Sequence, residues 1–209
     1  MAKVRQGILG GFRGRVGNIV GTGWKGIAVM KSLPLTVANP RTAGQVQQRN
    51  KFKTLVKLAT VNLAAIVKPL WDRFASNMSG FNAFISANQS AFFSDGTLDW
   101  RNMIISRGRM LPPILGDYNV SGGSFTIELT NPIGDRFALP TDNIYLLIMD
   151  GNDLKPRFAG QVAQTRGSGS TVNVSGSLQD ITSMAYETAI FAAYLRNDGS
   201  EVSNSANNG

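Results

Sequence analysis

The sequence predicts an α+β protein built from a glycine-rich N-terminal arm, a helical hairpin and an immunoglobulin/fibronectin-like β-sandwich. Three observations support this fold class. Glycines crowd the start of the chain, apolar residues then recur at helical spacing, and short alternating apolar runs separated by turn residues follow Pro112-Pro113. We therefore divide the chain into the arm at 1–41, the helical region at 42–110 and the sandwich at 111–209.

The arm carries eight glycines within residues 1–30. The rough alternation of apolar residues from Arg15 to Lys31 predicts a hairpin that turns at the Gly-Thr-Gly of residues 21–23. Because glycine loses more conformational freedom on folding than any other residue, both strands of this hairpin should be weak on their own.

Large apolar side chains lie between these glycines, and we expect them to order the arm against a partner surface, such as the sheet of a neighbouring subunit. Phe12, Val16 and Trp24 are the predicted assembly contacts. Trp24 is the natural anchor, since an indole combines a large apolar area with an N–H that can donate a hydrogen bond.

Two helices are predicted in the helical region. Thr42 and Gln45 form a capping-box pattern at the start of the first helix, and Pro69 ends or kinks it. The second helix should run from about Ser79 to Phe93 and pack antiparallel to the first through aromatic side chains. The first helix has an apolar stripe with spacings of three and four residues: Phe52, Val56, Ala59, Leu63, Ile66 and Leu70.

About seven short strands are predicted after the Pro-Pro step. Residues 143–150 have the composition of a buried strand, residues 158–165 and 171–177 form a predicted hairpin, and residues 185–195 form a long central strand. The regular spacing of turns is typical of an immunoglobulin-like sandwich, although the Cys-Trp-Cys signature of antibody domains is missing. Residues 203–209 have the composition of a tail.

Charge is distributed unevenly along the chain, whose net charge is +8. Residues 1–71 contain twelve Lys and Arg residues and no Asp or Glu, whereas residues 111–209 contain five basic and ten acidic residues. This asymmetry predicts that the basic half contacts an anionic partner, which is either nucleic acid or the acidic surface of another copy.

Five cations are the predicted contacts with such an anion. Arg13 and Arg15 lie in the arm, and Arg49, Lys53 and Lys57 recur every four residues beside the apolar stripe of the first helix. The sequence contains no helix-turn-helix, zinc-finger or RNA-recognition signature, so any nucleic-acid binding should be non-specific and directed at phosphates.

The composition excludes most catalytic chemistry. Cys and His are both absent, which rules out disulfides, thiolate or imidazole metal ligands, and Ser-His-Asp or Cys-His catalysis. The glycines match neither a P-loop nor a dinucleotide-binding fingerprint. Asp72, Asp95 and Asp99 remain as carboxylate candidates without catalytic spacing. We expect no enzyme activity, cofactor or metal, and no apolar run indicates a membrane partner.

Several short motifs lie in the first half of the chain: Gly7-Ile8-Leu9-Gly10-Gly11-Phe12, Gly14-x-Val16-Gly17, Gly23-Trp24-Lys25-Gly26, Gln47-Gln48-Arg49-x-x-Phe52, Phe81-Asn82-Ala83 and Ile105-Ser106-Arg107-Gly108. Together they resemble an uncharacterised protein family of Bacteroidota genomes and their phages. The box Asn39-Pro40-Arg41-Thr42 resembles a recurrent box of phage structural-region proteins. The resemblance implies a C-terminal β-sandwich and an association with phage particles, and it brings no catalytic residue or cofactor.

Two functions remain open at this point. The arm and the resemblance favour a phage virion structural protein, a capsid- or particle-associated subunit that contacts copies of itself or other virion proteins. Such a protein would reside in the virion and, during assembly, in the host cytoplasm. The basic half favours, as the alternative, a non-specific nucleic-acid-binding protein.

Overall fold

The computed structural model describes residues 3–4, 11–34, 36, 39–121, 123–150, 154–167, 169–179 and 188–208. Across these residues the protein is a mixed α/β structure with three α-helices and three β-sheets. Two units are distinguished, Met1–Gln45 and Val46–Gly209. The start of the first glycine motif, at 7–10, and the first residues of the predicted central strand, at 185–187, lie outside the described residues.

The arm forms a four-stranded antiparallel sheet in the order β1-β2-β3-β4: β1 Lys3–Val4, β2 Phe12–Val16, β3 Ile19–Trp24 and β4 Ile27–Ser32. The predicted turn at residues 21–23 is wrong, because β3 continues through it. The chain turns instead at residues 17–18 and at Lys25-Gly26. Lys25 and Gly26 have φ angles of 45° and 85°, and two positive φ angles are what a type I′ hairpin turn requires.

The sheet of the arm has almost no buried side chain. All six residues of β4 are exposed, and among residues 11–34 only Gly21 is buried. Gly21 lies under Phe12, since a side chain at this position would collide with the Phe12 carbonyl and ring. Trp24 is 57% exposed and Met30 is 70% exposed. The described part of the arm therefore has backbone pairing without an apolar core.

The helical region contains three α-helices, one π-helical turn and one 3₁₀ turn: α1 Ala43–Val61, the π-helix Leu63–Val67, α2 Lys68–Trp71, α3 Gly80–Ala87 and the 3₁₀ turn Trp100–Asn102. The chain bends by 74° between α1 and the segment from Leu63 to Trp71. The bend lies at Asn62, whose buried Nδ2 donates to the Leu58 carbonyl at 3.0 Å. Pro69 falls in the first turn of α2, where its missing N–H costs nothing, so the kink precedes the proline.

The buried face of α1 differs from the predicted stripe. Leu55 and Leu58, which the stripe passes over, are fully buried, whereas Phe52 is 50% exposed. Ile66 and Leu70, which follow the bend, are buried as predicted. Ala59, which belongs to the predicted stripe within α1, is also fully buried, so the stripe departs from the buried face mainly at the start of the helix.

The second predicted helix is confirmed, although it ends earlier than predicted. α3 starts after Ser79, whose Oγ accepts a hydrogen bond from the Asn82 N–H at 3.3 Å, and it ends at Ala87. Its Phe84 ring packs edge-on against Trp71, with the ring centroids 5.9 Å apart. α3 thus packs on the segment that follows the bend.

Two side chains fix the segment that follows α3 inside the apolar core. Asn88 Nδ2 donates to the Ile104 carbonyl at 2.9 Å, and the Ile104 N–H donates to Asn88 Oδ1 at 2.8 Å. Trp71 Nε1 donates to the Ile105 carbonyl at 2.6 Å. These bonds satisfy backbone groups next to the fully buried side chains of Met103 and Ile105.

The remaining strands form two antiparallel sheets, with the orders β11-β10-β7-β8 and β5-β6-β9: β5 Ile114–Ser121, β6 Ser124–Thr130, β7 Asn143–Asp150, β8 Pro156–Thr165, β9 Thr171–Ser177, β10 Thr188–Leu195 and β11 Ala206–Asn207. The predicted strand at 143–150 is confirmed. The predicted hairpin of 158–165 with 171–177 is wrong, because β8 pairs with β7 and β9 pairs with β6. The intervening loop crosses from one sheet to the other.

Strands β7 and β10 are buried on both faces. On one face Leu146 and Tyr194 belong to an apolar cluster that includes Ile127 of β6. On the other face Leu147 and Phe191 belong to a cluster with the helices. Neighbouring residues of a strand point to opposite sides, so the two strands supply both clusters at once. The larger unit thus has three layers: the helices, the β11-β10-β7-β8 sheet in the middle, and the β5-β6-β9 sheet.

This sharing of two strands bears on the predicted boundary at residue 111. Residues from 42–110 and from 111–209 contribute to one and the same apolar cluster. They also belong to a single unit, Val46–Gly209. The boundary at 111 therefore does not separate two cores, and the division that the structure shows lies near the end of the arm.

The segment predicted as a tail is ordered where the structure describes it, up to residue 208. Ser203 is fully buried, and its Oγ accepts from the Tyr194 N–H at 2.8 Å. Asn208 Oδ1 accepts from the Ile190 N–H at 2.8 Å, and its Nδ2 donates to the Thr188 carbonyl at 2.9 Å. Composition alone could not reveal these side chains as backbone partners of β10.

A buried ion cluster anchors the loop that crosses between the sheets. Arg166 lies 3.2 Å from Asp135 and 4.0 Å from Asp142, and its guanidinium covers the Tyr194 ring at 4.4 Å. The Tyr194 hydroxyl donates to Asn131 Oδ1 at 2.7 Å. Burial raises the pKa of Tyr194 to about 12 and also raises the pKa of Asp142. Arg166 is thus the cation that offsets two buried carboxyl groups.

The shared core predicts how fragments will behave. A chain of residues 42–209 should unfold cooperatively and keep the helical circular dichroism signal of the full protein. A chain of residues 111–209 should not fold, because it exposes the helix-facing side of β7 and β10. Chemical denaturation of both fragments checks this, and a cooperatively folding 111–209 fragment would contradict the shared core.

Replacing Arg166 by Met should destabilise the protein by about 3 kcal/mol or more, because it removes the cation that is paired with two buried carboxyl groups. Urea unfolding followed by circular dichroism measures the loss. Arg107, which is exposed, provides the matched control: Arg107→Met should change stability by less than about 0.5 kcal/mol. Equal effects of the two substitutions would show that the cluster is not an anchor.

Candidate functional site

The structure distributes the three predicted assembly contacts over both faces of the arm sheet. Val16 lies opposite Ile19, and Trp24 lies opposite Ile27. Residues 19 and 24 of β3 point to opposite sides, since side chains alternate along a strand. Val16 and Trp24 are therefore exposed on different faces, while the half-buried Phe12 ring covers Gly21 on the Val16 side.

Exposed apolar side chains continue beyond the predicted contacts. Ile27, Val29 and Met30 of β4 are all exposed, and sequence reasoning did not select them as assembly contacts. The signal in the sequence that could have identified them is the pair of tight turns, since these turns make β4 the last strand of the sheet. The arm therefore presents apolar groups on both faces and along one edge.

The predicted anion contacts form two groups. Arg13 and Arg15 are exposed on β2, where Arg15 Nε donates to the Gly17 carbonyl at 2.9 Å. Arg49, Lys53 and Lys57 are exposed on α1. Their spacing of four residues places them along one side of the helix, so the three cations form a continuous basic stripe.

An acidic surface, which sequence reasoning missed, lies on the outer face of the β5-β6-β9 sheet. Asp117 of β5 and Glu128 of β6 line a shallow cleft of about 500 Å³ together with polar residues such as Asn119 and Asn173. The three strands contain no Lys or Arg. Asp117 and Glu128 come together only through the pairing of β5 with β6, which the sequence does not specify.

A second cleft, of about 560 Å³, opens beside β5. Its lining includes the aromatic side chains of Phe93, Trp100 and Tyr118 together with Val120 and Ala189. Phe93 and Tyr118 are exposed large apolar groups. The lining also includes polar residues such as Asp99 and Arg101, so this cleft combines aromatic with polar groups.

The three carboxylates that were candidates for catalysis each accept a hydrogen bond from a backbone N–H group. Asp72 Oδ1 accepts from the Gly80 N–H at 2.9 Å. Asp95 Oδ1 accepts from the Thr97 hydroxyl and N–H at 2.7 and 2.9 Å, and these bonds lower the pKa of Asp95. Asp99 accepts from the Arg101 N–H at 3.0 Å. Within the described ranges, no three carboxylates group together in a way that could hold a metal ion.

No single helix in the described part of the chain has the length and apolar composition of a membrane span. The bent pair formed by Ala43–Val61 and Leu63–Trp71 reaches these limits by length and composition only when both parts are taken together.

Comparison with known proteins gives a family but no function. No curated protein matches the chain. A family model described as a family of unknown function, DUF6266, matches residues 11–209, which is nearly the whole chain. The match includes most of the arm, the helices and both sheets of the larger unit, and the chain therefore belongs to the DUF6266 family of unknown function.

Proposed function

We propose that the protein is a structural subunit of a phage virion, associated with the capsid or another part of the particle, and that it assembles through its N-terminal arm. The observation that carries this proposal is the arm sheet, whose apolar side chains are exposed on both faces. The resemblance of the glycine and aromatic motifs to proteins of Bacteroidota and their phages supports the phage context. The two facing sheets of the larger unit support an immunoglobulin-like sandwich as its fold.

The energetics of the arm favour association. Fixing the backbone of each residue costs roughly 1–2 kcal/mol, and burying a large apolar side chain returns roughly 1.5–3 kcal/mol. Val16, Trp24 and Met30 are largely exposed, so most of that return is not realised within the arm itself. A partner surface that covers these side chains supplies the remaining free energy of burial.

The charge distribution favours copies of the same chain as partners. The first 71 residues are purely basic, and the last 99 residues are net acidic. Copies that meet with unlike parts in contact attract each other, as is expected of a subunit that repeats in a shell, ring or tube. This proposal places the protein in the virion and, during assembly, in the host cytoplasm.

Deleting residues 1–41 should leave a folded chain that no longer assembles. The triple variant Val16→Ser, Trp24→Ser, Met30→Ser should have the same effect with the arm still present, because it removes the apolar surface. Light scattering and size-exclusion chromatography measure assembly. Ile133→Ser is the matched control, since Ile133 is 99% exposed in the larger unit. A truncated chain that forms the same particles as the full chain would contradict the proposal.

Non-specific nucleic-acid binding is the second candidate function. The observation that favours it is the basic stripe of Arg49, Lys53 and Lys57, which is exposed along one side of α1. Cations at this spacing can each contact a backbone phosphate, and Arg13 and Arg15 of the arm can add further contacts.

Replacing Arg49, Lys53 and Lys57 by Gln should reduce the salt dependence of duplex DNA binding by up to about 2.7 units of log–log slope, at about 0.9 per phosphate contact. Fluorescence anisotropy over a series of salt concentrations measures the slope. Arg107→Gln with Arg109→Gln is the control, because both side chains are exposed outside the stripe. An unchanged slope in the triple variant would remove the helix from nucleic-acid binding.

A further inference from the structure

Among the edge strands whose burial the structure describes, β4 and β5 have the longest runs of exposed residues. β4 ends the arm sheet, and β5 ends the β5-β6-β9 sheet, so each has a hydrogen-bonded neighbour on one side only within the described residues. All of β4 is exposed, and β5 is exposed over residues 116–119. An open edge presents unpaired N–H and C=O groups that can recruit a further strand.

The two edges carry opposite charges. Lys31 is the only ionisable residue of β4, and Asp117 is the only carboxylate of β5, with Glu128 of β6 beside it. Self-pairing of either edge brings no opposite charges together, because each edge carries charges of one sign only. Facing charges of the same sign destabilise a strand pair, whereas opposite charges stabilise it, so pairing of β4 with β5 is favoured over either self-pairing.

The aromatic cleft beside β5 can receive a side chain from an added strand. Tyr118 lies opposite Ile127 of β6, whose side chain is buried between the sheets, so the Tyr118 ring lies on the same inner side of the sheet. Tyr118 is nevertheless 50% exposed, because no strand of the described residues covers it at this edge. An apolar residue from an added strand would meet Tyr118 here.

We propose, as an extension of the function proposed above, that β4 of one copy adds antiparallel to β5 of a second copy. The register sets Lys31 opposite Asp117, Met30 opposite Tyr118 and Val29 opposite Asn119. Lys31 then lies over the acidic outer face. Met30 enters the aromatic cleft, where its thioether makes a favourable contact with the aromatic rings.

This pairing joins two different surfaces of the same chain, so every copy offers one β4 edge and accepts one at β5. Such a head-to-tail contact generates a closed ring when the rotation closes and an open filament when it does not. The partner of the arm is therefore a second copy of the chain, and the assembly grows by strand addition.

The absence of cysteine from the sequence makes the register directly testable. Val29→Cys and Asn119→Cys should be prepared as separate full-length variants, mixed under assembling conditions and treated with a short thiol-specific cross-linker. A covalent dimer that contains one copy of each variant is expected. Because the two cysteines lie on different chains, this product reports a contact between copies.

Asn173→Cys provides a matched control. Asn173 is an exposed asparagine on the outer face of the same sheet, but it lies on β9, two strands from β5 and therefore about 10 Å away. Mixing this variant with Val29→Cys should give little product. Lys31→Glu in the Val29→Cys chain should lower the yield with Asn119→Cys by about two- to fivefold, and Asp117→Lys in its partner should restore it.

The outcomes separate this inference from the proposed function. If the full-length chain does not assemble, both are overturned. If assembly depends on the arm but Val29→Cys cross-links to Asn173→Cys as well as it does to Asn119→Cys, or to neither, only the pairing of β4 with β5 is overturned. A yield that Lys31→Glu leaves unchanged would overturn the register.

Discussion

The larger unit depends on the burial of β7 and β10 on both faces. Leu146 and its alternate neighbours pack towards β6, while Leu147 and its alternate neighbours pack towards the helices. A strand cannot present one set of side chains without the other, so neither cluster can form without the same two strands. Helices and sheets are therefore coupled into one structure. The Arg166 cluster holds the loop through which the chain passes from one sheet to the other.

The arm has the opposite construction. Its strands are joined to each other by backbone hydrogen bonds, yet their apolar side chains remain exposed. The larger unit thus contains the apolar clusters of the described chain, whereas the arm carries exposed apolar side chains and ionisable groups of one sign only. Under the proposed function, this separation suits a subunit that folds alone and then repeats many times, because the proposed contact surface is independent of the core that stabilises each copy.

Local signals in the sequence predicted local structure, but they did not predict which strands pair when these strands are far apart in the chain. The helix that starts after Ser79 and the strand at 143–150 follow from a cap and from an apolar run, which involve only neighbouring residues. The crossing of the chain from β8 in one sheet to β9 in the other does not follow from such signals. The loop that starts at Arg166 has the composition of an ordinary hairpin turn, and it is held by Asp135, which is far away in the chain. The acidic face of β5 and β6 was missed for the same reason: it exists only once the strands have paired.

Hydrogen exchange followed by mass spectrometry, on the full chain below and above the concentration at which it assembles, tests the central claim most directly. In the dilute chain, amides of β2, β3 and β4 should exchange much faster than those of β7 and β10, because the arm has no core to hold it closed. On assembly, β4 and β5 should gain protection together while β7 and β10 stay unchanged. An arm that is already as protected as β10 in the dilute chain, or an assembly that leaves the arm unprotected, would contradict the account.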